Sequence, residues 1–387
     1  MNDAARLYFD NAATSYPKPE SVYEAMDRYA RQSGGSAGRS AHRHALDGSR
    51  LLFHLRTELA ELLGGDEDRV VLTMHATEAI NLALFSLLEP GATCLHGALE
   101  HNAVMRPLAH LAATRKAHLV EVPGDDQGRM TPAALDRALH ETGAKLVVTL
   151  HASNVNGAAQ DVAALSEVAA RHDARFVVDA AQSAGVLDLD QKAMGIDALC
   201  VTGHKALFGP TGTGALLLSE TVSDRIQARM HGGTGSQSES EHTPDFLPDR
   251  LEAGTPNTFG AAGLLAGIRF VRERGVADIA RHERELRSRM IDRLRAIDDL
   301  TVYGDMSGPA TSVVSFTCSL APSDVAFLLA ERYGIAVRPG LHCAPRAHRT
   351  LGTMPAGTLR LAPSVLTPVD AVDEVAAAIA EIVKLAS

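Results

Sequence analysis

Tryptophan is absent and aromatic residues make up only 4% of the chain, which leaves little with which to stack nucleic-acid bases. Basic runs are missing as well. With a formal net charge of -10 and a pI near 5.9, the chain is a poor general binder of nucleic acid or anionic membranes. No stretch approaches the ~18 consecutive apolar residues of a membrane span, and residues 1–9 lack the basic-then-apolar order of a secretory signal. The expectation is a cytoplasmic protein with neither a nucleic-acid nor a membrane partner. Cysteine is scarce: Cys94, Cys200, Cys318 and Cys343 form no CxxC pair and no disulfide framework.

What remains is an ordinary globular composition, 45% hydrophobic and 22% charged over 387 residues. That length suits a large domain with a smaller one appended. The chain is organised around residues 176–205. Phe176-Val177-Val178 reads as a buried strand that delivers Asp179 at its carboxyl end, followed by Ala180, Ala181 and Gln182. A second strand, Ala198-Leu199-Cys200-Val201-Thr202, opens onto Gly203-His204-Lys205 and a glycine-rich turn at 209–214. A lysine and a carboxylate at two strand ends complement opposite ends of pyridoxal phosphate. The amine forms an imine with the aldehyde, and the buried aspartate keeps the pyridine nitrogen protonated. Taken singly, each residue also reads as a surface lysine in a turn or a capping aspartate.

Elsewhere, Leu7-Tyr8-Phe9 leads to Asp10-Asn11-Ala12-Ala13-Thr14, and Pro17 and Pro19 carry the chain into a helix near 20–31. A flexible loop at 34–39 and a helix at 47–63 follow, stopped by Gly64-Gly65. A strand at 70–72 runs into a helix that begins near Thr77, where free amides and the helix dipole suit a phosphate; Thr77 is either a ligand to it or a helix cap. Strands at 93–96, 118–122 and 145–150 alternate with helices, one of which opens at Glu100-His101-Asn102-Ala103. That alternation to residue 218 implies a mostly parallel sheet covered by helices, with its ligand crevice at the carboxyl ends of the strands. Thr77, His101, Asn154, Asp179, Gln182 and Lys205 all fall at such ends. Residues 231–249 form a long polar loop of the kind that is usually functional or mobile. Helices at 261–274 and 279–297 bridge to a second region, where strands at 300–303, 312–318 and 335–338, with helices at 323–333 and 369–385, suggest a small α+β domain.

Cys94, Cys200 and Cys318 sit in apolar strand patterns as small hydrophobes. Cys343 lies in a polar, proline-bounded loop, where a neighbouring cation or histidine matters to its reactivity. Arg360, in a short strand-like run, is either a bidentate holder of a carboxylate or a surface arginine. The 17 histidines include the pairs His42 with His44 and His342 with His348, but no carboxylate or cysteine completes a ligand spacing, and no metal is assigned.

Together Val178-Asp179-Ala180-Ala181-Gln182, Thr202-Gly203-His204-Lys205 with Gly209-Pro210, Glu252-Ala253-Gly254-Thr255-Pro256-Asn257 and Arg338-Pro339-Gly340-Leu341-His342-Cys343-Ala344 resemble the class V aminotransferase family. Within these fold-type I pyridoxal-phosphate enzymes, the chain is similar to the cysteine desulfurase and selenocysteine lyase branch with a compact cysteine loop. The likeness runs from residue 8 to about residue 360. It implies an α/β fold with a mostly parallel seven-stranded central sheet flanked by helices. An amino-terminal arm (1–15) would pack on a small α+β domain (259–387), with a large cofactor domain (16–258) between. By resemblance Lys205 is the Schiff-base lysine, Asp179 partners the pyridine nitrogen, and Gln182 donates to the ring hydroxyl. Thr77, Thr202 and His204 hold the phosphate, with Thr255 reaching in from the second subunit of a homodimer. His101 stacks on the ring and moves protons, Asn154 and Arg360 bind the amino-acid carboxylate, and Cys343 is the nucleophile.

The implied reaction converts L-cysteine to L-alanine, leaving a persulfide on Cys343 for a sulfur-acceptor protein. The alternatives keep the cofactor: an L-selenocysteine lyase, or a β-lyase or aminotransferase in which Cys343 is not catalytic. Two departures stand out. Arg360 is followed by Leu361-Ala362-Pro363-Ser364-Val365-Leu366-Thr367 where the family commonly has a longer segment ending in Tyr-Asn-Thr, and Leu341 stands where compact-loop desulfurases often have histidine.

Overall fold

The computed structural model describes residues 7–38, 40 and 42–386; the first six residues of the expected arm, Arg39 of the 34–39 loop and the last residue of the expected small domain lie outside these. Seven strands form the central sheet in the order Val70–Thr73, Gly214–Leu218, Ala198–Thr202, Arg175–Asp179, Leu146–Leu150, Thr93–His96, His118–Glu121. Only Gly214–Leu218 runs against its neighbours; the other pairings are parallel.

The central strands are apolar throughout because both faces are covered. Val147, Phe176, Val178, Leu199 and Val201 face one core, which receives Leu52, Leu55, Leu59 and Leu63 of the helix Arg43–Leu63. Val148, Val177, Ala198 and Cys200 face the other, against the helices Ala76–Leu87 and Asn102–Arg115. The leucines at three- and four-residue spacing make the apolar stripe that a sheet face requires. Gly64, at φ 64, ends the first helix in a left-handed cap that a residue with a Cβ adopts less readily. Cys94 and Cys200 are fully buried hydrophobes, and Cys318 is half-buried beside a third core.

That third core lies under a four-stranded antiparallel sheet in the order Arg338–Gly340, Thr358–Leu361, Val314–Thr317, Thr301–Tyr303. The helices Val276–Arg295, Pro322–Tyr333 and Ala371–Ala386 cover it. Leu7–Tyr8 pairs in parallel with Ile335–Ala336, and Phe9 is buried in this core. The helix Thr258–Arg274 instead packs Ala261, Leu264, Leu265 and Ile268 with the central sheet.

One expected strand is corrected. Residues 335–338 are not one strand: Ile335–Ala336 pairs with Leu7–Tyr8, whereas Arg338–Gly340 joins Thr358–Leu361. The run is continuous in sequence, but its hydrogen bonds go to two different partners.

Candidate active site

Register brings the site together. Asp179 lies between Leu150 and Cys200 in the parallel ladder, and Thr202 pairs with Gly214, which also pairs with Thr73. The carboxyl ends of the parallel strands and the amino end of Gly214–Leu218 therefore share one edge, and the loops at that edge must meet there. The cleft over this edge is lined by Thr77, His101, Asn154, Asp179, Gln182, Thr202, His204, Lys205, Cys343 and Arg360, with empty space of about 800 Å³. Thr255 is elsewhere. It is exposed, in a neighbouring concavity with Met74 and Glu78, while the intervening His75 and Thr77 line the cleft. The Glu252 carboxylate fixes that motif by accepting from the Leu72 amide at 2.6 Å and pairing with Arg56 at 2.5 Å.

The base of the cleft is charged. Asp179 accepts from the Ala181 amide at 2.9 Å. Burial raises its pKa, opposed by that N–H and by Lys205. Burial lowers the Lys205 pKa to about 8, partly offset by Asp179. A lysine so placed holds a larger free-amine fraction near neutrality than an exposed one. Gln182 donates to the Ala12 carbonyl at 2.9 Å, and the His204 carbonyl accepts from the Ser15 amide at 2.9 Å and the Thr14 hydroxyl at 3.0 Å. The amino-terminal turn is thus laced to both.

The helix Ala76–Leu87 is capped by His75, whose Nδ1 accepts from the Glu78 amide at 3.1 Å. Thr77 is therefore not the cap; it stands in the first turn, where the leading amides have no acceptor within the helix. His101 caps the helix Asn102–Arg115 in the same way, accepting from the Ala103 amide at 3.0 Å. That bond occupies Nδ1, so the neutral ring carries its proton on Nε2. Burial and the cations Lys205, Arg338, Arg360 and Arg106 push its pKa down to about 4.

Cys343 is exposed at the tip of a loop in which His342 and Cys343 both have positive φ, 48° and 57°. Such backbone strain in residues with a Cβ persists only where the surroundings hold it. Here Ala344 and Ala347 are buried with Leu99, Leu150 and Val155, and the Cys343 carbonyl accepts from the Asn102 amide at 2.8 Å. The His342 carbonyl accepts from Asn154 Nδ2 at 2.6 Å. Arg360 is 1% exposed, pairs with Asp10 at 2.5 Å and donates to the Asn154 carbonyl at 3.1 Å.

Sequence reasoning missed several contributors. Arg338 sits in a motif quoted above without a role; its Nη2 lies 4.0 Å from Cys343 Sγ. Asp10 pairs across the fold with Arg360. Glu100, wholly buried directly before His101, accepts from the Leu150 amide at 3.1 Å through both oxygens, and burial raises its pKa to about 8. A carboxylate between a strand end and a helix start was the available signal for it. Among the described residues no group of three or more His, Cys, Asp or Glu is arranged to hold a metal ion.

The comparisons agree with this geometry. The family described as Aminotransferase class-V matches residues 7–375. A probable cysteine desulfurase of Pyrococcus abyssi (strain GE5 / Orsay) is 34% identical, covering 98% of this chain and 94% of that protein. A cysteine desulfurase of Haloferax volcanii is 30% identical, covering 89% and 82%. Among solved structures, the apo cysteine desulfurase of Thermococcus onnurineus NA1 superposes with a TM-score of 0.91 at 33% identity, covering 98% and 94%. An Escherichia coli cysteine desulfurase, CsdA in an S-sulfonic acid form, does so with 0.87 at 28% identity and the same coverage. In sequence along nearly its whole length, as in the placing of its strands, the chain belongs to the class-V aminotransferase family.

Proposed function

We propose that this protein is a pyridoxal-phosphate-dependent cysteine desulfurase that converts L-cysteine to L-alanine and lodges the sulfur on Cys343 as a persulfide for a sulfur-acceptor protein. The observation that carries this reading is that an exposed thiol, Cys343, and a half-buried lysine of lowered pKa, Lys205, line one cleft.

The residues present fit the cofactor. Thr202 Oγ1 and His204 Nδ1 are buried without a hydrogen-bond partner, an arrangement that costs stability unless a ligand supplies acceptors or donors. With Thr77 and the amides of its helix turn they form a phosphate cradle. Asp179 would hold the pyridine nitrogen, Gln182 the ring hydroxyl, and His101 the ring face. Bound there, pyridoxal phosphate supplies an aldehyde for Lys205 and an electron-withdrawing ring for the substrate.

The chain's own groups do the rest. Arg360 and Asn154 bind and orient the substrate carboxylate; Arg360 Nε and Asn154 Oδ1 are both buried without a partner. The Lys205 amine takes the proton from the substrate's α-carbon and returns one during alanine release. The Cys343 thiolate attacks the substrate sulfur as the carbon–sulfur bond breaks. His101 Nε2 carries a proton beside that bond.

Thr255, exposed across the 74–78 turn from the phosphate cradle, suits a homodimer in which each copy completes the other's site. The large domain is taken as 16–258 together with the helix Thr258–Arg274 that packs on its sheet, and the remainder to 387 with the arm forms the small one. A reactive free thiol suits the reducing cytoplasm. Among the described residues no helix is long and apolar enough to cross a membrane.

The test is alanine formation from L-cysteine by the cofactor-loaded protein with an added thiol reductant, beside Cys343→Ala. Equal alanine and sulfide from wild type, with at least about a hundredfold loss in the variant, is expected. Equal rates in the two would remove Cys343 as the nucleophile, and no alanine from either would remove the desulfurase reading.

A further inference from the structure

Cys343 opens onto two concavities. One is the cleft of Lys205. The other is a shallow groove between the helices Ala76–Leu87 and Asn102–Arg115, walled by Asn81, Phe85, Arg106 and His110, with His101 and Cys343 at its inner end. Asn81 and Phe85 on one helix, and Arg106 and His110 on the other, are four residues apart, so each pair forms a row along its helix. The rows lead outward from the thiol.

This groove is cationic in an acidic chain. Arg106 and His110 are exposed, and no carboxylate lines it. Arg229 lies over the Phe85 ring at 4.3 Å and Arg115 approaches the same ring at 5.6 Å. Arg115 is held there by donating to the Phe85 carbonyl at 2.7 Å. Among the described residues neither Arg106 nor Arg229 forms an ion pair, so their charge is available to a partner. Against a net charge of -10, a local cluster of unpaired cations steers an anionic group toward one place on the surface.

We infer that this groove is the docking track for the sulfur acceptor, and that the acceptor presents its cysteine on an acidic segment. The inference rests on the desulfurase reading above. In the transfer, the acceptor's thiolate attacks the outer sulfur of the Cys343 persulfide. A sulfur–sulfur bond forms on the acceptor as the one on Cys343 breaks, and the electron pair leaves with Cys343 as thiolate. No oxidant or reductant is consumed.

The experiment uses the cofactor-loaded protein, its Cys343 charged from cysteine carrying radiolabelled sulfur. The probes are short peptides with one cysteine flanked by glutamates, by serines or by lysines. The glutamate peptide is expected to take label about tenfold faster than the serine peptide, with the advantage shrinking as salt is added. In the double variant His110→Glu, Arg229→Glu the order reverses in favour of lysine, while alanine formation with a small reductant stays within about twofold, as expected of exposed charges. Identical peptide rankings in wild type and variant overturn the inference. So does a change in the mass of the native assembly, because a second copy of this chain would then occupy the groove. Failure to form alanine with the reductant would instead remove the underlying reading, and the two failures are told apart by that control.

Discussion

Arg338 and Arg360 are direct cross-strand partners in the antiparallel pair Arg338–Gly340 and Thr358–Leu361, and both line the cleft. Two like charges in such register repel, and Arg338 is among the groups that lower the pKa of Arg360 after burial itself. An anion between them relieves the repulsion, which is what a substrate carboxylate brings. Arg338→Met is therefore expected to raise KM for L-cysteine about tenfold while leaving the melting temperature equal or higher. Steady-state kinetics and a thermal melt check this; an unchanged KM would take Arg338 out of carboxylate recognition.

Asp10 is the only carboxylate paired with Arg360 among the described residues. Removing it leaves a buried guanidinium short of a partner, a loss that in buried pairs costs about 3–5 kcal/mol. Because Asp10 is itself 21% exposed, Asp10→Asn is placed below that range, at about 1–2 kcal/mol, with KM raised and kcat little changed. Denaturant unfolding and kinetics on the same preparation measure both effects, and a shift in kcat alone would contradict the assignment.

Lys205 must be unprotonated to capture the cofactor aldehyde. Burial sets its pKa at about 8, so capture of pyridoxal phosphate by the cofactor-free protein should speed up as pH rises through 8 and level off above it. Stopped-flow absorbance follows the reaction. A rate still climbing toward pH ~10, the range of an ordinary lysine, would show that the amine is not desolvated.

Glu283, on the helix Val276–Arg295, is buried with its carboxylate accepting from the Ser312 amide at 3.4 Å, and burial raises its pKa from 4.5 to about 7. The folded chain then holds a proton that the unfolded chain releases as pH passes 4.5. This stabilising difference is full below 4.5 and is lost as pH rises to about 7. By linkage, the loss is on the order of 3 kcal/mol. Glu283→Gln cannot ionise, so its melting temperature should gain on wild type between pH 4.5 and 7 and run parallel above. Parallel curves throughout would mean that the carboxyl ionises freely in the folded protein.

Local pattern made much of this protein legible. Phe176-Val177-Val178-Asp179 and Ala198-Leu199-Cys200-Val201-Thr202 announce buried strands because a strand covered on both faces must be apolar at every position, and Asp179 and Lys205 stand out as the charged residues just past them. Cys343 was separable from Cys94 and Cys200 because its neighbours are polar and bounded by proline, while theirs are apolar. The helix starts near residues 76 and 102 were legible, but not which residue caps them: His75 and His101 accept the amide bonds, a role the sequence assigns more readily to Thr77.

Other features were decided only in three dimensions. The strand-like run at 335–338 divides between two sheets, since its hydrogen-bond partners, Leu7–Tyr8 and Thr358–Leu361, come from opposite ends of the chain. Arg360 reads equally as a surface arginine until Asp10, 350 positions away, closes over it. Thr255 carries the family's motif, yet within one chain it lies outside the Lys205 cleft. Sequence determined the kind of each element and the chemistry at its end, because burial and backbone preference act over a few residues. The opposition of Arg338 to Arg360, the tie between Asn102 and Cys343 and the groove beyond them were decided by tertiary structure, because register and cross-chain contact are set by residues that no local pattern joins.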